Sequence, residues 1–110
     1  MLNDMSADEA RDDLKVTSLA LPLAEIVRVA QSHGATSVRV FGSRARGDAR
    51  PDSDLDLLIK LDPRRSLLDL IAIQQDLEDL LGCKVDVVTE NGLSPYIRER
   101  VLAEALPLTG

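Results

Sequence analysis

The stretch from Phe41 to Leu61, FGSRARGDARPDSDLDLLIKL, constrains this chain more than any other. It joins a glycine–serine turn, a short basic loop and two aspartates set two residues apart in an apolar run. A β-strand alternates its side chains, so Asp54 and Asp56 share one face while Leu55, Leu57, Ile59 and Leu61 take the other. Two carboxylates on one face repel each other and are costly to keep dry. That arrangement is expected where a divalent cation compensates it, and donors that are all oxygen suit Mg²⁺. The stretch therefore asks for a strand with one acidic face, beside a turn small enough to take a phosphate.

The bulk numbers narrow what such a site serves. At 110 residues there is room for one domain and its core, and none for a second substrate-binding domain. Aromatic residues are 2% of the chain, too few for a platform on which bases stack. A net charge of −6 argues against direct nucleic-acid binding, which needs a basic face. The anion handled here is expected to be a small nucleotide. The single cysteine, Cys83, excludes an internal disulfide, and its neighbours Leu80, Leu81 and Val85 favour a buried thiol. No apolar run approaches the roughly eighteen residues of a membrane span. The first residues, MLNDMSADEARDDLKV, lack the apolar centre of a signal peptide. A cytoplasmic protein without membrane contact is expected.

Along the chain, residues 1–18 read as a flexible acidic tail and 19–110 as the folded domain. Leu19 to His33 carries Leu23, Ile26, Val27 and Ala30 at helical spacing, with Pro22 in the first turn and Gly34 past the end. His33, in the last turn, suits the helix dipole; the chain's only histidine is not expected to be a ligand. Ser37 to Phe41 is a short strand, Arg44 to Asp48 about one helical turn, and Asp54 to Leu61 a second strand. Ser66, with Asp69 three residues on, caps a long helix closed by Gly82, whose buried stripe is expected to be Leu67, Leu70, Ile71, Leu77, Leu80 and Leu81. Lys84 to Thr89 is a third strand in which Val85 and Val87 share one face and Asp86 takes the other. Ser94-Pro95 opens a last helix, with Ile97, Val101 and Leu102 inward. The order α-β-α-β-α-β-α implies an α/β domain with a small mixed sheet of about three strands covered by helices.

Several phosphate and metal motifs almost fit. Gly42 to Gly47 has the glycine spacing of a P-loop, but Asp48 and Ala49 stand where lysine and a hydroxyl residue belong. Asp52, Asp54 and Asp56 open like a calcium loop, but Leu57 and Pro63 occupy the positions of its tight-turn glycine and bidentate glutamate. What remains is Gly42-Ser43, ten residues, then Asp54-Leu55-Asp56, with Asp86 on a later strand. This pattern resembles the signature of the DNA polymerase β-like nucleotidyltransferase superfamily. It is most similar to the minimal, MNT-type antitoxins of HEPN/MNT toxin–antitoxin pairs. The resemblance runs from about Leu19 to Leu108 and includes the terminal IRERVLAEALPL segment. A loop rich in Asp, Ser, Arg and Pro is by itself only a solvated loop. Three aspartates placed on strands against the apolar pattern favour an active site.

The resemblance implies a division of labour. Gly42 lets the backbone approach a phosphate, and Ser43 adds a hydroxyl donor. Asp54, Asp56 and Asp86 are the expected catalytic and metal-binding carboxylates; two Mg²⁺ ions are the usual solution for phosphoryl displacement. Asp86 would ligate the ion on the nucleophile's side or take its proton. Arg46 would offset charge on departing pyrophosphate, with Arg44 as a helper. The implied reaction moves AMP from ATP onto a tyrosine of a cognate HEPN ribonuclease toxin, which would form a hetero-oligomer with this chain. Two alternatives stand beside it: transfer to a small hydroxyl compound, and an antitoxin that neutralises by binding alone.

Overall fold

The computed structural model describes residues 21–50 and 53–108; the acidic tail expected over 1–18 lies outside them. Helix α1 (Leu23–Ser32) leads into strand β1 (Ala35–Phe41), the one-turn helix α2 (Ser43–Arg46) and strand β2 (Leu55–Leu61). Helix α3 (Leu67–Leu81), strand β3 (Val85–Val88), a 3₁₀ turn (Glu90–Gly92), helix α4 (Pro95–Glu104) and strand β4 (Leu106–Pro107) follow. The sheet order is β3-β2-β1-β4. β1 runs antiparallel to both β2 and β4, while β2 and β3, joined through α3, are parallel. The fold is thus mixed α/β with four strands rather than about three. β4 is the addition: only two residues long and containing Pro107, it offers neither alternation nor a full set of donors. It forms because Leu106 and Leu108 drop into the core once α4 ends.

The two faces of the sheet are covered unequally. On one, Ile26, Val27 and Ala30 of α1 and Ile73 and Leu77 of α3 meet Val38, Val40, Leu55, Leu57, Ile59 and Val85. On the other, a smaller cluster joins Leu58 to Leu93 and Val101, with Phe41, Val88 and Ala105 at its edge. Asp56 alternates with Leu57 and so lies on the Leu58 side, one pleat from this second cluster. Leu58 has Arg39 as its register partner on β1 and Val88 on β3, whereas Asp56 has Phe41 and Asp86. The carboxylates therefore begin where the second core stops.

Helix α3 is capped as its sequence predicts. Ser66 accepts from the Leu68 N–H, Asp69 accepts from the Ser66 N–H, and Gly82 ends the helix at φ 70°. Its buried stripe differs from the expected one. Ile73 and Leu77 are buried, Leu70 and Leu81 pack beside them, and Leu67, Ile71 and Leu80 are exposed. The first turn, with Leu67, Leu68 and Ile71, is apolar on more than one side, so its pattern does not select a face. In α4 only Val101 of the expected inward residues is buried; Ile97 and Leu102 are exposed. His33 caps the end of α1 and pairs with Asp76 of α3 at 2.8 Å, which ties the two core helices together. Among the described residues no helix is long and apolar enough to cross a membrane. Ile73→Ala is expected to cost about 2–5 kcal/mol in urea denaturation, as a cavity at a fully buried site does. Leu68→Ala, at a residue 74% exposed, should stay within about 0.5 kcal/mol of the parent.

Candidate active site

The site assembles where β1 turns into α2 and where β2 and β3 begin. Asp56 and Asp86 are direct register partners on adjacent parallel strands, so both carboxylates rise from the same face. Asp54, two residues earlier, is exposed and lies just before β2. Two tethers set this register. The Leu55 N–H donates to the Lys84 carbonyl at 2.9 Å, and the Val85 N–H donates to Glu78 Oε2 at 3.0 Å. Glu78 sits on α3, so the crossover helix itself holds Asp86 level with Asp56. The sequence contains Glu78 but no local sign of this role.

Gly42 forms the wall facing the carboxylates. Its backbone, at φ 77° and ψ −153°, lies in a region that side chains rarely enter. A Cβ built there would collide with Asp56 Oδ2 and stand 3.2 Å from its Cγ. The glycine of the Gly-Ser turn is therefore needed both for the bend and for room beside Asp56. Ser43 starts α2, partly buried, and its hydroxyl has no hydrogen bond among the described residues. Arg44 reaches across the loop base, its Nη2 donating to the Ser53 carbonyl at 2.7 Å, while its Nε is buried without a partner. Arg46 pairs with Asp48 at 3.3 Å and with Glu104 at 3.2 Å. Glu104 also accepts from the Gly42 N–H at 3.1 Å. It lies 48 positions beyond Asp56 at the end of a polar helix, and sequence spacing gave no sign of it.

The electrostatics follow from this crowding. The Asp56 carboxyl is pushed up to about 6 from an ordinary 3.8. Burial is the main cause; the Asp86 charge and a hydrogen bond shared with Asp86 add to it, Asp54 contributes, and Arg46 opposes. Among the described residues no three Asp, Glu, His or Cys side chains are gathered closely enough to hold a metal by themselves. The Asp56–Asp86 pair nevertheless fits a hard divalent cation. It supplies two oxygen donors side by side, carries uncompensated repulsion, and faces space kept clear by Gly42. Mg²⁺ commonly takes one or two carboxylates and fills its remaining positions with water and substrate oxygens.

A raised carboxyl pKa has a definite consequence for the metal-free protein. The folded value lies above the unfolded one, so this group's stabilising contribution is complete below about pH 4. It is lost as the pH rises through about 6. Metal-free Asp56→Asn should therefore exceed the parent in stability above that pH, by on the order of 1 kcal/mol after solvent screening. Urea denaturation at a series of pH values in chelator checks it; equal stability across the range contradicts the assignment. Gly42→Ala should destabilise by about 1–3 kcal/mol, read in the same assay, because the new methyl group both strains the backbone and meets Asp56.

Comparison with known proteins identifies the family. The sequence profile of the family described as "Nucleotidyltransferase domain" matches residues 23–108. "Putative protein adenylyltransferase MJ0435" of Methanocaldococcus jannaschii is 38% identical over 82 residues, covering 74% of this chain and 88% of its own. "Protein adenylyltransferase MntA" of Thermococcus cleftensis is 37% identical over 94 residues, covering 78% of this chain and 95% of its own. A solved structure described as "Structure of putative minimal nucleotidyltransferase" superposes with a TM-score of 0.69 at 44% identity, over 97% of this chain and all of the other. The fold also recurs, at 21% identity and a TM-score of 0.70, in a toxin–antitoxin crystal structure with AMP-PNP, over 82% of this chain and 74% of that one. A family match across most of the domain, together with relatives matched over nearly their whole length, establishes that this chain belongs to the nucleotidyltransferase domain family, among its minimal members, and is an enzyme of that kind.

Proposed function

We propose that this protein is a Mg²⁺-dependent protein adenylyltransferase that moves AMP from ATP onto a tyrosine hydroxyl of a HEPN-type toxin and thereby silences it. The observation that carries the reading is the Asp56–Asp86 pair beside Gly42: two side-by-side carboxylates facing a glycine that leaves no side chain in the way. The likeness to relatives named as protein adenylyltransferases supports the chemistry. That the fold recurs in a toxin–antitoxin complex supports a protein as acceptor.

The reaction is a displacement at phosphorus. The acceptor oxygen forms a bond to the α-phosphorus, the bond from that phosphorus to the bridging oxygen breaks, and pyrophosphate leaves with the electron pair. Asp56 and Asp86 would hold the cation, with Asp54 nearby at the exposed approach, and the cation would supply charge neutralisation for the triphosphate and for the displaced oxygen. Asp86 lies on the strand beside Asp56, within the acidic face. It takes either the acceptor's proton or a ligand position. The raised Asp56 pKa reflects the same crowding and should fall once a cation shares the site. Gly42 and Ser43 would receive phosphate oxygens through the backbone and the hydroxyl. Arg46 would meet the pyrophosphate, and its charge already acts on Asp56. Arg44 braces the loop that delivers Asp54, so its contribution to phosphate binding is indirect.

The test is a label transfer. The protein is expressed with the product of its adjacent gene and given Mg²⁺ and ATP labelled at the α-phosphate. Label should become fixed to the partner with the parent protein and fall by at least about 10²-fold with Asp54→Asn/Asp56→Asn, since these residues act in the chemical step. Label recovered on a small hydroxyl compound, or a stable and metal-loaded complex that gains none, would refute transfer to a protein.

A further inference from the structure

Helix α4 ends at Glu104, and this carboxylate reaches back to the opening turn of the site. Its Oε1 accepts from the Gly42 N–H at 3.1 Å, and Arg46 Nη1 lies 3.3 and 3.2 Å from Oε1 and Oε2. The Glu104 side chain is only 18% exposed, so this contact is not the loosely held surface pair that contributes little. Asp48 holds Arg46 from another side, through Nε at 3.3 Å. The guanidinium is thus fixed at Nε and Nη1, and its Nη2 has no hydrogen bond among the described residues. Hydrogen bonding to Glu104 is also the largest of the causes that raise the Arg46 pKa.

We infer that Glu104 is a positioning residue for nucleotide binding: it locks the Gly42 turn and aims the Nη2 edge of Arg46 at the phosphates, so that helix α4 completes the site from outside it. The inference rests on the nucleotidyltransferase reading of the site. Two geometric facts carry it. One carboxylate serves both Gly42, just before Ser43, and Arg46, three residues after it, and it reaches them from a helix 62 and 58 residues away in sequence. Glu104 does this without joining the Asp56–Asp86 face; its partners are a backbone N–H and a cation. Without the carboxylate, Arg46 keeps only Asp48, an exposed neighbour two residues away, and the guanidinium is free to swing.

The chemistry of two substitutions separates the two contacts. Glu104→Gln keeps an oxygen that can accept from the Gly42 N–H but gives up the ionic contact with Arg46. Glu104→Asp keeps the charge on a shorter arm. ATP affinity would be measured by calorimetry with Mg²⁺ on the full chain, and the Gly42 amide signal would be followed by NMR without nucleotide. Glu104→Gln should weaken ATP binding about tenfold, with Glu104→Asp intermediate, while both variants remain folded with a single cooperative unfolding transition. In an Arg46→Lys background the further loss from Glu104→Gln should be less than about twofold, because the two residues act as one unit. The Gly42 amide should hold its position in Glu104→Gln and shift in Glu104→Ala, an effect unconnected with turnover.

Unchanged or tighter ATP binding by folded Glu104→Gln would overturn the proposal; tighter binding would mean that the carboxylate competes with the phosphates. Additive losses in the double variant would overturn it too. If the parent itself binds no ATP, the nucleotide reading of the site fails and this proposal falls with it. That outcome is distinct from a parent that binds ATP and a Glu104 variant that binds it equally well.

Discussion

Two like charges held side by side are the constraint on which the rest of the structure depends. Asp56 and Asp86 are register partners on parallel strands, and in the absence of a cation their proximity is unfavourable. With both carboxylates charged nothing in the pair favours that approach; the surrounding fold imposes it. The parallel pairing of β2 and β3 requires a crossover, and α3 supplies it with Ile73 and Leu77 buried in the main core. Glu78 on the same helix then fixes Val85, one residue from Asp86. Burial of twelve Val, Leu and Ile side chains in the main core, among the described residues, outweighs the repulsion, since each contributes on the order of 1.5–3 kcal/mol.

The unequal covering of the sheet explains where the site can lie. α1 and α3 cover one face with the larger cluster, whereas among the described residues the other has the small cluster around Leu58, Leu93 and Val101. One pleat beyond that cluster the strand positions carry Asp56 and Asp86 instead of aliphatic side chains. An acidic face must keep access to water and ions when no ligand is bound, so partial burial is a compromise. It is enough to lift the Asp56 carboxyl to about 6, yet Asp54 remains exposed at the mouth. A cation entering there would gain from the repulsion it relieves. Binding would then stabilise the folded state by mass action.

Much of this was legible in the sequence because local rules carried it. The alternation of Leu55, Asp56 and Leu57 placed Asp56 and the core residues on opposite faces, and Val85 and Asp86 did the same for β3, whereas Asp54 lies just before the strand that was expected to include it. The Ser66–Asp69 capping box and the Gly82 terminus of α3 were equally direct. Failures came where no local rule decides. Leu67, Leu68 and Ile71 are apolar on more than one side of α3, so only tertiary packing selects Leu70, Ile73 and Leu77 as the inward stripe. The two-residue β4 exists by pairing with β1 and has no pattern of its own. Glu78 and Glu104 look like ordinary polar residues of amphipathic helices, and their partners, Val85 and Gly42, are backbone N–H groups that no side-chain motif can encode.

The same two glutamates show how side chains on two helices hold the backbone around the candidate site. Here each side of the site is tied by one helix-borne carboxylate accepting from a backbone N–H: Glu78 to the β3 side, Glu104 to the β1–α2 side. Hydrogen bonds with a charged acceptor are stronger than neutral ones, about 1.5–3 kcal/mol against about 1, which suits them to hold single points. Both helices are already anchored by the cores, α3 through Ile73 and Leu77 and α4 through Val101. Core packing is thereby transmitted to the site through two bonds. α4 carries few buried side chains and so is the less firmly held of the two. Any partner that settles on α4 would act on the Gly42 turn and Arg46 before it could disturb the carboxylate pair.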